Sequence, residues 1–248
     1  MKNVVIGLVL IMTVALFAAP AALAAWVSVG GNQGAGVKVL ESTPGRIALE
    51  FRVGGFERND LVIDGRTYSM ISLPGEAQCL EKGFPELPLV ARSVIIPDDR
   101  NMELRVTALE YTELHGVTPV PSKGDLLRNV DPARVPFTFD AFYSSDHWFP
   151  ARDASPREPY VLRDYRGTTV VVTPFRYQPS TGTLRVATRM VVELVDAGPG
   201  GANVLARNRP RSSVAVSFDE VYRHHFLNYG MQAEKYIPAP ETGSIAIW

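Results

Sequence analysis

The feature that most narrows the fold is a two-residue hydrophobic period. Arg46-Ile47-Ala48-Leu49-Glu50-Phe51-Arg52-Val53 sets Ile47, Leu49, Phe51 and Val53 on one side and charges at positions 46, 50 and 52 on the other. That is the pattern of a strand with one face buried and one in water. Met102, Leu104, Val106 and Ala108 alternate with Glu103, Arg105 and Thr107, and the apolar set then slips to Leu109 and Tyr111. This change of phase predicts a β-bulge. Thr168 to Phe175 is a β-branched run, and Leu184 to Val195 alternates through Val186, Met190, Val192 and Leu194. The turn-forming residues Gln178-Pro179-Ser180-Thr181-Gly182-Thr183 lie between them and predict that the two runs pair as a hairpin. Helical periodicity is nearly missing before Val195. Strands separated by turn clusters predict an all-β chain, an antiparallel β-sandwich or barrel.

The first residues read differently. Lys2 precedes an apolar run from Val4 to Ala25 that is broken by Pro20 and ends Ala22-Leu23-Ala24-Ala25. A short basic start, an apolar middle and small residues at −3 and −1 of a cut after Ala24 predict a secretory signal peptide over 1–24. The expectation is an exported protein, extracellular or on the cell surface after periplasmic transit, with no membrane span once the signal is removed. The run is also about long enough to be an uncleaved anchor; Pro20 and the small-residue end favour cleavage. The remainder is too hydrophobic for disorder, at 46% hydrophobic and 21% charged with formal net charge −1. That charge balance, with pI ≈ 6.4, excludes a nucleic-acid-binding footprint. Cys79 is the single cysteine, so neither an intrachain disulfide nor a multi-cysteine zinc site is available.

Between Pro119 and Pro159 the alternation stops. Seven prolines (119, 121, 132, 136, 150, 156 and 159) prevent continuous ladders, and Phe137, Phe139, Phe142, Tyr143, Trp148 and Phe149 punctuate the stretch. An excursion of this length inside a domain is functional or wraps the surface. The sandwich is expected over 25–198. Asp196-Ala197-Gly198-Pro199-Gly200-Gly201-Ala202 then begins a linker, placed at 199–216. Ser217-Phe218-Asp219-Glu220 reads as a capping box that opens a helix, with Phe218, Val221, Tyr222, His225 and Phe226 toward one side. Residues 217–248 are expected to be that helix and the start of a following domain. They are expected to be poorly anchored, because the helix face and the terminal Gly243–Trp248 run have no evident partner.

No residue cluster assembles an active site, a metal site or a cofactor site. Cys79 has no His near it in sequence, and a small half-buried role suits it better than catalysis. His224 and His225 are adjacent, whereas two ligands on one helix face sit four residues apart. His224 is therefore expected in solvent and His225 beside the core. Asp98-Asp99 after Pro97 reads as a turn rather than the dedicated oxygen-rich loop calcium requires. Asp146-His147 has no nucleophile elbow to serve, and no phosphate-binding or dinucleotide fingerprint is present.

Three stretches carry a resemblance. They are Gly83-Phe84-Pro85-Glu86-Leu87-Pro88 with Val94-Ile95-Ile96-Pro97; Phe142-Tyr143-Ser144-Ser145-Asp146-His147-Trp148-Phe149-Pro150; and Leu162-Arg163-Asp164-Tyr165-Arg166-Gly167 running into Val172-Thr173-Pro174-Phe175 and on to Leu184. In order and spacing the chain, from about Leu80 to Val195, resembles the N-terminal pro-domain of gingipain-type secreted cysteine peptidases. The resemblance implies a β-sandwich that keeps its cognate peptidase domain latent, in cis or in trans, and assists its folding. The family's catalytic His and Cys belong to the peptidase domain, so no residue here is carried over as catalytic. A second reading is an adhesin-like sandwich that uses the 137–149 aromatics to bind carbohydrate or protein.

If the chain blocks a peptidase, some segment must occupy the cleft, and the proline-stiffened excursion is the natural one. It offers Lys123, Arg128, Arg134, Arg152 and Arg157. Arg128 and Arg134 flank Asn129-Val130-Asp131-Pro132-Ala133, a compact turn, and are the inhibitory-loop candidates for the basic-residue pocket that the resemblance implies. For processing, Arg207-Asn208-Arg209-Pro210-Arg211 is polar and turn-prone. Pro210 disfavours a cut after Arg209, which leaves Arg207 and Arg211.

Overall fold

The computed structural model of the chain describes residues 24–207, 213–233 and 237–240. The strands are β1 (Ala25–Ser28), β2 (Ala35–Ser42), β3 (Arg46–Val53), β4 (Gly55–Ile63), β5 (Arg66–Ser72), β6 (Ala77–Gln78), β7 (Pro88–Ile95), β8 (Arg100–His115), β9 (Ala154–Pro156), β10 (Tyr160–Leu162), β11 (Tyr165–Val172), β12 (Phe175–Gln178) and β13 (Thr183–Pro199). After them come β14 (Ser213–Ala215), α1 (Val216–His225), α2 (Tyr229–Ala233) and β15 (Ile237–Ala239).

Two antiparallel sheets face each other. In one, β13 is central: β8 lies along one flank, and β12 and β3 share the other, with β2 outside β3. In the other, β11 lies between β7 and the tandem pair β9 and β10, with β6 outside β7. A small sheet β1-β4-β5 extends the structure. Between the layers pack Ile47, Leu49, Phe51 and Val53 of β3 with Leu184, Val186, Met190, Val192 and Leu194 of β13 and Val90, Val94, Val170 and Val172 opposite. The alternating β3 face is thus the core face. The charges it turns outward meet partners across the sheet: Arg46 with Glu193 at 2.6 Å, Glu50 with Arg189 at 2.7 Å, and Arg189 with Glu110 at 3.0 Å.

One strand expectation changes and one holds. Thr168–Phe175 is not one strand of a hairpin. The chain leaves the β11 sheet at Thr173-Pro174, and only β12 pairs with β13, while the β-branched residues Thr168–Val172 pair with β7. The β8 bulge is real, and its extra residue is Thr107: Val191 faces Ala108 while Val192 faces Val106. Beyond the bulge Leu109 faces the buried Met190, and Leu109 and Tyr111 are 36% and 49% exposed on this edge strand.

The tail is the larger correction. Its helix has a partner. Tyr222, Phe226 and Tyr229 are buried with Ile95, Tyr165 and Val214 in a second cluster on the outer face of the β7–β11 sheet. Glycine makes the seat possible: a Cβ on Gly167 would sit 2.5 Å from Phe226 Cε1. Val221, expected on the apolar face, is 45% exposed. The helix starts two residues earlier than the proposed capping box places it, with Ala215 rather than Ser217 as N-cap and no side-chain cap bond. The first half of the linker is also fixed. Arg166 is fully buried, and its guanidinium donates to the carbonyls of Pro97 at 2.8 Å, Arg100 at 2.7 Å and Ala202 at 2.6 Å. Gly200 N–H donates to Asp99 O and Leu205 N–H to Asp98 O. The Gly243–Trp248 run lies outside the described residues.

Candidate functional site

The Pro-rich excursion leaves and returns through one residue. Gly83 N–H donates to Ser122 O at 2.9 Å, and Asp140 N–H donates to Gly83 O at 3.0 Å, so both limbs of the loop 123–139 are tied to the same residue. Gly83 has φ +85°, and a Cβ there would lie 3.2 Å from Asp140 N, a geometry that favours glycine. The outgoing limb is laddered further, with Ser122 N–H donating to Phe84 O at 2.7 Å and Glu86 N–H to Val120 O at 2.8 Å. Glu86 is half-buried: burial pushes its carboxyl pKa up, while the Lys123 charge and a Ser122 hydrogen bond pull it down.

Beyond the neck the loop is organised by its own polar groups. Lys123 Nζ crosses to the returning limb and donates to Pro132 O at 2.7 Å, 4.2 Å from the centroid of the Phe137 ring. Val130 N–H donates to Leu127 O at 2.9 Å, closing a turn over Leu127–Val130. Asp131 caps the 3₁₀ turn Pro132–Arg134, its Oδ1 accepting from Ala133 N–H at 2.9 Å. Asp140 does the same for the 3₁₀ turn Ala141–Ser144 through Phe142 N–H at 2.8 Å. These are short Asx caps, each satisfying a backbone donor that no ladder reaches.

Arg128 lies in the Leu127–Val130 turn, midway round the 124–131 tip, beside Leu127 at 73% exposure. Arg134 lies at the base, in the turn that follows the Lys123–Pro132 contact. Both are exposed, and neither side chain has a hydrogen-bond or ion-pair partner among the described residues. Arg152 and Arg157 lie past the neck, away from the tip.

The aromatics of this region are mostly spent on packing. Phe84 stacks with Phe142 and Phe149 at centroid distances of 5.5 and 5.0 Å, and Phe142 is 8% exposed. Tyr143 OH donates to Pro119 O at 2.9 Å, and burial raises its pKa. Trp148 lies 4.3 Å from the Arg185 guanidinium. A platform of free rings for sugar stacking is therefore not what the 137–149 segment builds.

The other candidates fall in ordinary places. Cys79 is half-buried, and burial raises its thiol pKa. His224 Nδ1 lies 2.8 Å from Glu220 O, and His225 contacts Phe226 and lies 2.6 Å from Tyr160 OH. Asp98-Asp99 is a turn, and Asp98 pairs with Arg207. Arg207 also donates to Asp164 O, so of the two processing candidates one is held against the body; Arg211 lies outside the described residues. Ala24 is exposed and directly precedes β1, whose Ala25 pairs with Arg58. No helix among the described residues is long and apolar enough to cross a membrane.

Sequence reasoning found the excursion and its two arginines but missed the roles of Gly83, Lys123 and Arg166 in holding the chain. Gly83 had a readable signal, a glycine before Phe-Pro; the other two contacts join residues distant in sequence and leave no local pattern.

Comparison with known proteins places this chain in a family. The Propeptide_C25 family model matches residues 28–235. Gingipain R1 of Porphyromonas gingivalis is 30% identical over 206 residues, which is 83% of this chain and 20% of that relative's length. A structure of the complex of the P. gingivalis RgpB pro- and mature domains superposes with TM-score 0.70 at 28% identity, covering 78% of this chain and 97% of that one. A structure concerned with the zymogenic latency of P. gingivalis gingipain K superposes with TM-score 0.60 at 19% identity and supports the fold alone. These matches favour the pro-domain reading over the adhesin, and the chain belongs to the Propeptide_C25 family as a gingipain-type pro-domain.

Proposed function

We propose that this pro-domain keeps a gingipain-like cysteine endopeptidase domain latent by laying the 124–131 tip along its active-site cleft, with Arg128 entering the pocket for a basic residue. The observation that carries the reading is the loop itself. It is closed on its own polar groups and clamped at Gly83, and it presents one unpartnered guanidinium midway round its tip. A preordered loop loses little entropy on docking, and a free guanidinium suits an acidic pocket through paired hydrogen bonds. Arg134, at the base, is the second candidate, and the ring closure favours Arg128 over it. The solved complex of the related RgpB pro- and mature domains supports a peptidase partner.

The same reading includes export after a cut behind Ala24, which would leave β1 intact, assistance in folding the peptidase, and a processing cut in 207–211. A cut after Arg207 requires its guanidinium to leave Asp98, so Arg211 is the favoured position; N-terminal sequencing of the matured form checks it, and a start far from Ser212 or Asn208 rejects it.

The main test adds the purified chain in trans to its activated peptidase domain. Arg128→Ala should raise the inhibition constant about thirtyfold, the loss of a binding hot spot of ~2 kcal/mol, and Arg134→Ala should leave it within about twofold. An Arg128→Ala constant within about twofold of the parent rejects Arg128 as the plug.

A further inference from the structure

Inhibitory loops must be bound without being cut, and a peptidase cuts a segment it can pull into an extended, locally unfolded form. The 124–131 tip has no buried residue to hold it to the core. What holds it is internal, and one side chain does most of the closing. Lys123 is the first residue beyond the anchored Ser122, and from there its ammonium reaches the returning limb at two points, the Pro132 carbonyl at 2.7 Å and the face of Phe137 at 4.2 Å.

We infer that Lys123 is a positioning residue that closes residues 124–131 into a ring, and that this closure, rather than the turn at its tip, keeps the loop resistant to cleavage while it is presented to a peptidase. The inference rests on the reading of this loop as the inhibitory segment. Its physical grounds are separate. A charged donor to a carbonyl is stronger than a neutral one, and the ammonium gains further from the Phe137 ring. Glu86 and Ser122 add to its setting: the Lys123 charge acts on the Glu86 carboxyl, which the Phe84–Glu86 ladder holds under the outgoing limb. Without the contact, the limbs between Ser122 and Asp140 form an open loop of seventeen residues, numbers 123–139, joined at Gly83 alone.

The experiment uses the full chain and trypsin, which cuts after arginine and lysine, following by mass spectrometry the first cut of intact chains at the Arg128–Asn129 bond and, as a control, after Arg66 at the β4–β5 hairpin. Lys123→Met keeps the apolar stem and removes the charge. It should raise the initial cleavage rate after Arg128 about tenfold, as expected for loss of a charged hydrogen bond, with the Arg66 rate and thermal midpoint unchanged. Lys123→Arg, which can donate to the same carbonyl and stack on the same ring, should restore most of the resistance. A Lys123→Met rate within twofold of the parent overturns the inference, as does equal acceleration at both sites, which would report general loosening. Against the activated peptidase, Lys123→Met should convert the chain from a stable inhibitor to one consumed with time. If trypsin shows the local effect while neither Lys123→Met nor Arg128→Ala changes peptidase inhibition, the ring closure stands and the plug reading falls.

Discussion

The side-chain amide of Asn228 takes both main-chain hydrogen bonds of Ile95: Oδ1 accepts from the Ile95 amide at 2.8 Å, and Nδ2 donates to the Ile95 carbonyl at 2.9 Å. β6 covers only the Pro88–Leu89 end of this edge of β7. At the other end the tail takes over, with Leu227 N–H donating to Ser93 O at 3.0 Å and Asn228 standing in for the next residue of a strand. Asn228 is fully buried and also donates to Ser42 Oγ at 3.0 Å, so it joins the tail to both sheets.

Asn228→Ala should therefore free the tail. It strands a buried N–H and a buried C=O, each worth about 1–3 kcal/mol when unsatisfied. Hydrogen exchange should show lost protection across 216–233 and at Ile95, with little change at Leu49 or Val192. Unchanged protection in α1 would mean that the aromatic cluster alone holds the tail.

Arg166→Met should lower unfolding stability by about 3 kcal/mol, since three backbone carbonyls lose a charged donor in a site closed to water. Arg166→Lys should recover little of this, because one ammonium cannot span what the planar fork spans. Urea denaturation of both variants checks the order.

Gly83→Ala should cost about 1–3 kcal/mol, the strain of a side chain at positive φ. The damage should be local: the Asp140 amide should exchange faster while the β3 and β13 amides keep their protection. Equal loss in both places would place Gly83 in the global fold rather than at the loop neck.

Acid should weaken the charged outer sheet face first. Hydrogen bonds from Arg52 and Arg189 bring the Glu50 pKa down to about 2, and one from Arg46 lowers that of Glu193. A carboxylate depressed in the folded state contributes stability above its unfolded pKa, and that contribution is lost as pH falls through the folded value. The thermal midpoint should drop between about pH 4.5 and pH 2. It should drop less in Glu50→Gln, which starts lower at neutral pH; parallel curves for the two proteins would reject the assignment.

How much could be read beforehand follows from which surfaces each element has. β3 announced itself because its two faces differ, core against Arg46, Glu50 and Arg52. β11 did not, because it is covered on both sides: every residue from Tyr165 to Val172 except Thr169 is buried. A strand without a wet face shows no alternation, so neither its end at Val172 nor its partner β7 was legible. The tail helix showed its apolar face, but its seat is Ile95, Tyr165 and Gly167, the outer side of strands whose other side already accounted for their hydrophobicity. In the loop, proline content and the two arginines were visible. The Lys123–Pro132 closure was not, since a side chain reaching a backbone carbonyl nine residues on leaves no sequence pattern.

The loop from residue 123 to 139 contains no buried residue, and both its ends meet at the Gly83 backbone. Its sequence is consequently almost independent of the sandwich that carries it. Substitutions between Gly124 and Asp131 can follow changes in an enzyme's preference without repacking a single core side chain. The scaffold and the recognition element can then diverge at different rates, and a loop transplanted between relatives should need only a glycine clamp and a cationic cross-tie to keep its shape.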